Sequence, residues 1–264
     1  MKPIKYGDTE QFRNVVKKVQ QMSAYQGEDA DGNTIYDYQQ DKPTIEFDLS
    51  IKLHGTNASV VFTPDGKWYT QSRNGIFDPT THPDTHMGFT QFMLSKVDDN
   101  ITEGLSGKRY DLIQTMVGSY LYSINDKTST VTVYGEWAGK GIQKGVGISE
   151  VDKAFYIFGV KITPVEDVES YWLTVEQLDK NFVTFERVRN LWSFPTCKIS
   201  VDFNKPEIAQ NEIFSLVQEV EAECPIARMF GISGIGEGVV GVATYNGQRL
   251  IFKAKGDKHA KGSK

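Results

Sequence analysis

Cysteine is scarce in this chain of 264 residues: Cys197 and Cys224 are its only two. They form no C-x-x-C pair and no disulfide framework, so the expectation is two buried thiols in a reducing, intracellular setting. No run approaches the roughly 18 apolar residues of a membrane span, and the opening MKPIKYGDTEQF has no apolar signal core, so a soluble cytoplasmic protein is expected. Internal repeats and low-complexity tracts are missing. So is net positive charge: 29 Lys and Arg face 34 Asp and Glu, a balance of −5. A uniformly basic nucleic-acid coat is thereby excluded, though a local basic groove is not.

The hydrophobic content of 39 % and aromatic content of 12 % are those of a globular chain with a core to bury. Helical spacing predicts a helix through Phe12, Val15, Val16, Val19 and Met22, with Thr9 as its N-cap. It predicts others through Ile113, Met116, Val117, Tyr120, Leu121 and Ile124, and through Ile213, Leu216, Val217 and Val220, where Pro206 suits the first turn. Tyr120, Tyr122 and Phe214 are read as core. Alternation of Ile45, Phe47, Leu49, Ile51 and Leu53 with polar residues predicts a strand. Strands 58–63 and 68–72 flank Pro64-Asp65-Gly66, and strands 238–245 and 249–255 flank Asn246-Gly247, both hairpin signals. Further strands are expected at 130–136 and 154–162. Hairpins outnumber strand–helix–strand units, so the class is α+β with antiparallel sheets flanked by helices. No linker separates two compositions, and a single domain over 1–264 is expected.

Chemistry gathers at a few points. Period two puts Lys52 on a polar strand face with Asp48, Ser50 and His54. It is either an edge-strand solubilising lysine or a nucleophile whose amine neighbouring cations help to set free. Lys253 and Lys255, two apart on a strand, project to one face and make a natural phosphate clamp, while Phe252 and Ala254 turn to the core. Glu136 and Glu237 each stand beside glycine, where a carboxylate can meet a hard metal or a ribose, or equally be a turn residue in water. His82-Pro-Asp-Thr-His86 offers two imidazoles but no further ligand and reads as a loop. The glycines at 135, 139 and 141 miss phosphate-loop spacing, and Gly231–Gly236 misses the dinucleotide fingerprint.

Taken together, these segments resemble a known family. Lys52-Leu-His-Gly-Thr-Asn57 is similar to the nucleophile motif of the RNA ligase 2-like branch of covalent nucleotidyltransferases. Gln71-Ser-Arg-Asn74, Tyr134-Gly-Glu-Trp-Ala-Gly139 with Gly141-Ile-Gln-Lys144, Phe155-Tyr-Ile-Phe158, Glu237-Gly-Val-Val240 and Phe252-Lys-Ala-Lys255 resemble its later motifs, in family order. The resemblance implies the nucleotidyltransferase fold, an ATP-grasp-like ligase core. It implies that Lys52 takes AMP from ATP as a lysyl-AMP intermediate, with Mg²⁺ or Mn²⁺ as cofactor. His54 and Asn57 would orient phosphates, and Arg73 would hold ribose or an RNA end. Glu136 and Glu237 would place metal or ribose, Phe158 would stack on adenine, and Lys253 and Lys255 would steady the phosphates. AMP would pass to an RNA 5′-phosphate, and an RNA 3′-hydroxyl would displace it.

Two positions depart from the pattern: Ile51 and Gly159 stand where relatives often carry carboxylates. Nine residues follow Lys255, so the chain is expected to be the catalytic domain alone, with a protein partner in place of a C-terminal accessory domain. The alternatives are a DNA ligase or capping enzyme of the same superfamily, and a non-catalytic module that binds nucleic-acid ends. Positive charge collects at the end of the chain, where Lys253, Lys255, Lys258, Lys261 and Lys264 face Asp257 alone, so salt-sensitive RNA affinity confined to one groove is expected.

Overall fold

The computed structural model describes residues 2–81, 86–97, 107–165 and 168–260, apart from the side chains of 259 and 260. His82, Lys261 and Lys264 of the sequence reading lie outside the described residues. In chain order, β1 (Glu10–Gln11) leads into α1 (Phe12–Ala24), and the hairpin of β2 (Tyr25–Glu28) and β3 (Thr34–Tyr36) precedes β4 (Thr44–Ile51). Next come β5 (Thr56–Phe62), β6 (Trp68–Ser72), β7 (Ile76–Phe77), α2 (Phe89–Leu94), α3 (Arg109–Ser123), β8 (Thr130–Ala138) and β9 (Ala154–Thr163). Then β10 (Tyr171–Trp172), α4 (Val175–Asn181), β11 (Val188–Asn190), β12 (Cys197–Asp202), α5 (Pro206–Ala222) and α6 (Pro225–Met229) follow. The last elements are β13 (Gly238–Tyr245), β14 (Gln248–Lys255) and α7 (Asp257–Ala260).

These elements group into two compact units, and each draws on two stretches of sequence. One holds the N-terminal residues through Tyr6 together with His54–Phe194; the other holds Gly7–Leu53 and Pro195–Lys264.

The unit that contains Lys52 is built on a five-stranded sheet of order β1-β14-β13-β4-β12. All its pairings are antiparallel except β1 with β14. The rings of Phe12 and Phe47 meet Phe252 at 5.1 and 5.3 Å, so α1 covers the face to which Phe47 and Phe252 point. Val15 and Val19 extend that core from α1; Ile213, Val217 and Val220 are buried on α5, which packs on β12 and β13. Helix α1 is capped by Gln11 rather than Thr9, because β1 pairs with β14 and carries the chain in as a strand up to the first helical residue. The 246–247 hairpin is a tight turn with both central residues at positive φ, 47° for Asn246 and 72° for Gly247.

The other unit is built on a sheet of order β10-β9-β8-β5-β6-β7, with β11 added parallel to β9. Phe89 and Phe92 of α2 pack on Phe155 and Trp137 of that sheet at 4.8 and 4.7 Å. Tyr6 returns from the N-terminus to the sheet, with its ring 5.3 Å from Tyr134 and 5.0 Å from Trp172. Below α2, Arg109 is buried at 2 % exposure because its guanidinium bonds Glu186, the Ser95 hydroxyl and the carbonyls of Ser95 and Lys96.

Three expectations fail on exposure. Tyr122 and Phe214 are 84 % and 57 % exposed: each sits on the outer side of its helix, where Val117 and Tyr120, or Ile213 and Val217, take the inner positions. Cys197 is exposed as well, being the first residue of edge strand β12, whereas Cys224 is buried.

Candidate active site

The strand that leads to Lys52 is buried on its odd positions, and Ser50 is buried too. Regular pairing stops at Ile51, two residues before the end of the alternation at Leu53, yet the Lys52 amide still donates to the Gly238 carbonyl at 2.8 Å. That bond sets Lys52 beside Glu237, the residue before β13. In turn the register of β13 on β14 places Gly238 opposite Lys255. Three side chains far apart in sequence are thereby brought together. Lys52 Nζ lies 2.9 Å from Glu237 Oε2, and Lys255 Nζ lies 2.7 Å from Oε1. The carboxylate is 2 % exposed, its lysines 20 % and 31 %. A buried carboxylate is costly unless fully paired, and two ammonium groups meet that demand here.

Gly238 makes the approach feasible. Its φ is +143°, and a Cβ there would lie 2.0 Å from the Ala254 carbonyl oxygen. Lys253 lies opposite Val240 on the same strand as Lys255, with its side chain on the face away from the buried Phe252. Spacing alone foresaw the two lysines on one face. It did not foresee that Glu237 would bond the nucleophile candidate itself, because only the strand order reveals that pairing.

In the other unit, Asn57 on β5 stands directly opposite Glu136 on β8. Glu136 Oε1 accepts from the Gly55 amide at 3.0 Å. Gly55 has no room for a side chain, since a Cβ would sit 2.4 Å from the Trp137 carbonyl oxygen. The Gln143 amide donates to the Gly55 carbonyl at 3.4 Å, which ties the 139–145 loop to the same turn. His54 is half-buried at the start of this segment. Arg73 is exposed in the β6–β7 turn, which Ser72 closes through its backbone and hydroxyl bonds to Gly75.

Phe158 owes its position to a bulge. Tyr134 pairs with Gly159 but Gly135 pairs with Ile157, so Phe158 faces no partner residue and its carbonyl instead accepts from Trp192 Nε1 at 3.1 Å. Bulges re-aim side chains in this way. The ring is half-buried and lies edge-on to Tyr6 at 4.8 Å.

The structure thus joins Lys52, Glu237 and Lys255, with Lys253 alongside, and separately joins Asn57 with Glu136. Among the described residues no group of three or more His, Cys, Asp and Glu side chains is arranged to hold a metal. Magnesium is ordinarily held by one or two carboxylates plus phosphates and water, so the donor set fits a cation that arrives with a nucleotide better than a resident one. Sequence reasoning gave no role of its own to Tyr156, quoted only within Phe155-Tyr-Ile-Phe158, or to Arg189. Arg189 lies between Val188 and Asn190 in a strand whose three residues are all buried, which its polar composition does not signal.

Two lysines that follow or end different strands thus share one buried glutamate within an α+β fold of antiparallel sheets. The RNA ligase family model matches residues 45–255, and the chain belongs to that family. Solved structures of Naegleria gruberi RNA ligase share the fold. The form with pyrophosphate aligns with a TM-score of 0.53 and 16 % identity, over 99 % of this chain and 58 % of that one. A variant with ATP and manganese gives 0.53 at 15 %, over 98 % and 57 %, and a variant with AMP and manganese gives 0.52 at 15 %, over 98 % and 58 %. This chain therefore spans somewhat over half the length of those ligases. No curated protein sequence matches it. Among the described residues no helix is long and apolar enough to cross a membrane.

Proposed function

We propose that this chain is the catalytic core of an ATP-dependent RNA ligase that works through a lysyl-AMP intermediate. The observation that carries the reading is the Lys52–Glu237–Lys255 contact inside the segment matched by the family. The Naegleria gruberi ligases solved with ATP, AMP or pyrophosphate, and manganese in two of the cases cited, support the choice of nucleotide and of a divalent cation.

Lys52 Nζ attacks the α-phosphorus of ATP; a P–N bond forms, the bond to the β-phosphate oxygen breaks, and pyrophosphate leaves. A protonated amine is no nucleophile, so the ammonium that bonds Glu237 must first part from it and lose a proton. Lys255 and Lys253 keep positive charge at the phosphates while this happens, and Lys255 retains Glu237 as its partner. Glu136 or Glu237 would hold a divalent cation that arrives with the triphosphate, and that ion would supply further positive charge to the phosphates. In the other unit, Asn57 and His54 orient phosphates, Arg73 meets ribose or an RNA end, Glu136 meets ribose or metal, and Phe158 stacks on the base. An RNA 5′-phosphate oxygen then attacks the phosphorus of lysyl-AMP, restoring the lysine amine. The RNA 3′-hydroxyl attacks the resulting RNA-adenylate and expels AMP. The reaction is three displacements at phosphorus, and Lys52 carries AMP from the first to the second.

The test is incubation with Mg²⁺ and α-labelled ATP or GTP, then denaturation and inspection of the chain for label. ATP label that Lys52→Ala abolishes, with an unchanged circular dichroism spectrum, is the expected result. No label from either nucleotide would overturn the proposal, and label from GTP alone would make this a capping enzyme.

A further inference from the structure

Four polar side chains lie along one cross-strand row of the second sheet. Asn57 on β5 pairs with Glu136 on β8, Glu136 with Tyr156 on β9, and Tyr156 with Arg189 on β11. Directly opposed residues on neighbouring strands share a face, with Cβ atoms about 5 Å apart, so the row is continuous. Its first two members already have roles under the ligase reading; the last two have none.

Tyr156 and Arg189 are both buried, Tyr156 fully and Arg189 at 9 % exposure. An Arg189 Nη1–H donates to the Tyr156 hydroxyl at 2.8 Å, and the guanidinium carbon stands 5.4 Å from the ring centroid. Burying a guanidinium costs several kcal/mol unless it is well bonded, and apolar residues fill such a strand at lower cost. The hydrogen bond from the guanidinium fixes the orientation of the phenol hydroxyl. The ring borders Glu136, the carboxylate bonded to Gly55. The guanidinium itself lies two strands from Glu136, about 10 Å at ordinary strand spacing, and so acts through the ring between them.

We infer that Arg189 and Tyr156 are a positioning pair that holds Glu136 for nucleotide binding. The inference rests on the adenylyltransferase reading and deepens it. Tyr156 walls in Glu136, Arg189 locks Tyr156, and neither takes part in the displacement at phosphorus. Their loss therefore weakens ATP binding more than it slows the step once ATP is bound.

The experiment compares the wild-type chain with Tyr156→Phe, Arg189→Lys and Arg189→Gln, following the single-turnover labelling rate against ATP concentration (half-saturation as KM, limiting rate as kcat), ATP binding by calorimetry, and thermal midpoint. Tyr156→Phe removes one hydroxyl and keeps the ring. It is expected to raise KM about fivefold, the value of one hydrogen bond, with kcat within twofold and a near-normal midpoint. Arg189→Gln is expected to raise KM about tenfold or more, and Arg189→Lys to recover part of that, since lysine keeps the charge but not the rigid fork. A purely structural role would lower the midpoint of all three while leaving KM of the folded protein unchanged, and that result overturns the inference. Wild-type protein that neither takes label nor binds ATP would sink the underlying reading and the inference with it. Wild-type labelling with unaltered KM in Tyr156→Phe and Arg189→Lys would sink the inference alone.

Discussion

Glu237 serves two lysines at once, and this changes what its removal should do. Glu237→Gln leaves two ammonium groups facing each other without their shared carboxylate. Because both lysines retain some access to water, a cost of about 1–3 kcal/mol is expected rather than the larger penalty of a fully buried pair. Chemical denaturation would measure it, and a stability equal to wild type would mean the ion pairs contribute nothing. His86 gives a second case at this scale. It adopts φ 60° and its ring stacks on Phe77 at 5.5 Å, edge-on to Phe89 at 5.7 Å. Burial pushes its imidazole below the ordinary value of 6.5, and the nearby Asn57 backbone opposes this only in part. The unfolded chain therefore takes up the proton more readily than the folded one. The stability this contributes is full above 6.5 and is lost as pH falls below it. In His86→Asn, which tolerates the positive φ, the thermal midpoint should fall less between about pH 7 and pH 5 than in wild type. Equal slopes would refute the assignment.

Among elements, the β13–β14 hairpin sets the relation of Glu237 to Lys255, and it turns on Gly238. Gly238→Ala puts a methyl group onto the Ala254 carbonyl in a backbone region hostile to L-residues. A loss of about 1–3 kcal/mol is expected, and labelling should slow about a hundredfold because displaced groups lose their alignment. Wild-type rates would show that the hairpin's register is unimportant. This hairpin was legible in the sequence, Asn246-Gly247 included, because turn chemistry and period two are local signals. The three predicted helices were legible for the same reason. The end of β4 was not, since Ile51 and Lys52 continue the alternation while pairing stops between them. The bulge at Phe158 was equally invisible: nothing in Phe155-Tyr-Ile-Phe158 marks which residue will be left unpaired. Which aromatic residues reach the core depends on what packs against each helix, and so Tyr122 and Phe214 misled.

For the whole molecule, the surplus of acid is compatible with membership of the RNA ligase family. The family match covers most of the chain even though the total charge is −5. If RNA engages the few lysines at the end of β14 and beyond, the logarithm of affinity should fall against the logarithm of salt with a slope of only about −2 to −3. Filter binding across a salt series would measure this, and a slope near zero would place RNA recognition on uncharged contacts. Motifs were readable because each is contiguous. The division into two units was not, because each unit is assembled from separated stretches of chain.

That interleaving has a consequence for synthesis. A ribosome delivers β4 early, yet two of the strands that share its sheet, β12 and β13, come from beyond residue 194. The β5–β11 sheet is complete in the nascent chain while the first sheet still lacks three of its five strands. Lys52 must wait 185 residues for Glu237, and Lys255 arrives later still. Domains tend to fold as units while the chain emerges, so the segment 54–194 can form first and the surroundings of Lys52 last. An incomplete chain, however well its middle has folded, then holds Lys52 without the carboxylate that bonds it or the second lysine on that carboxylate.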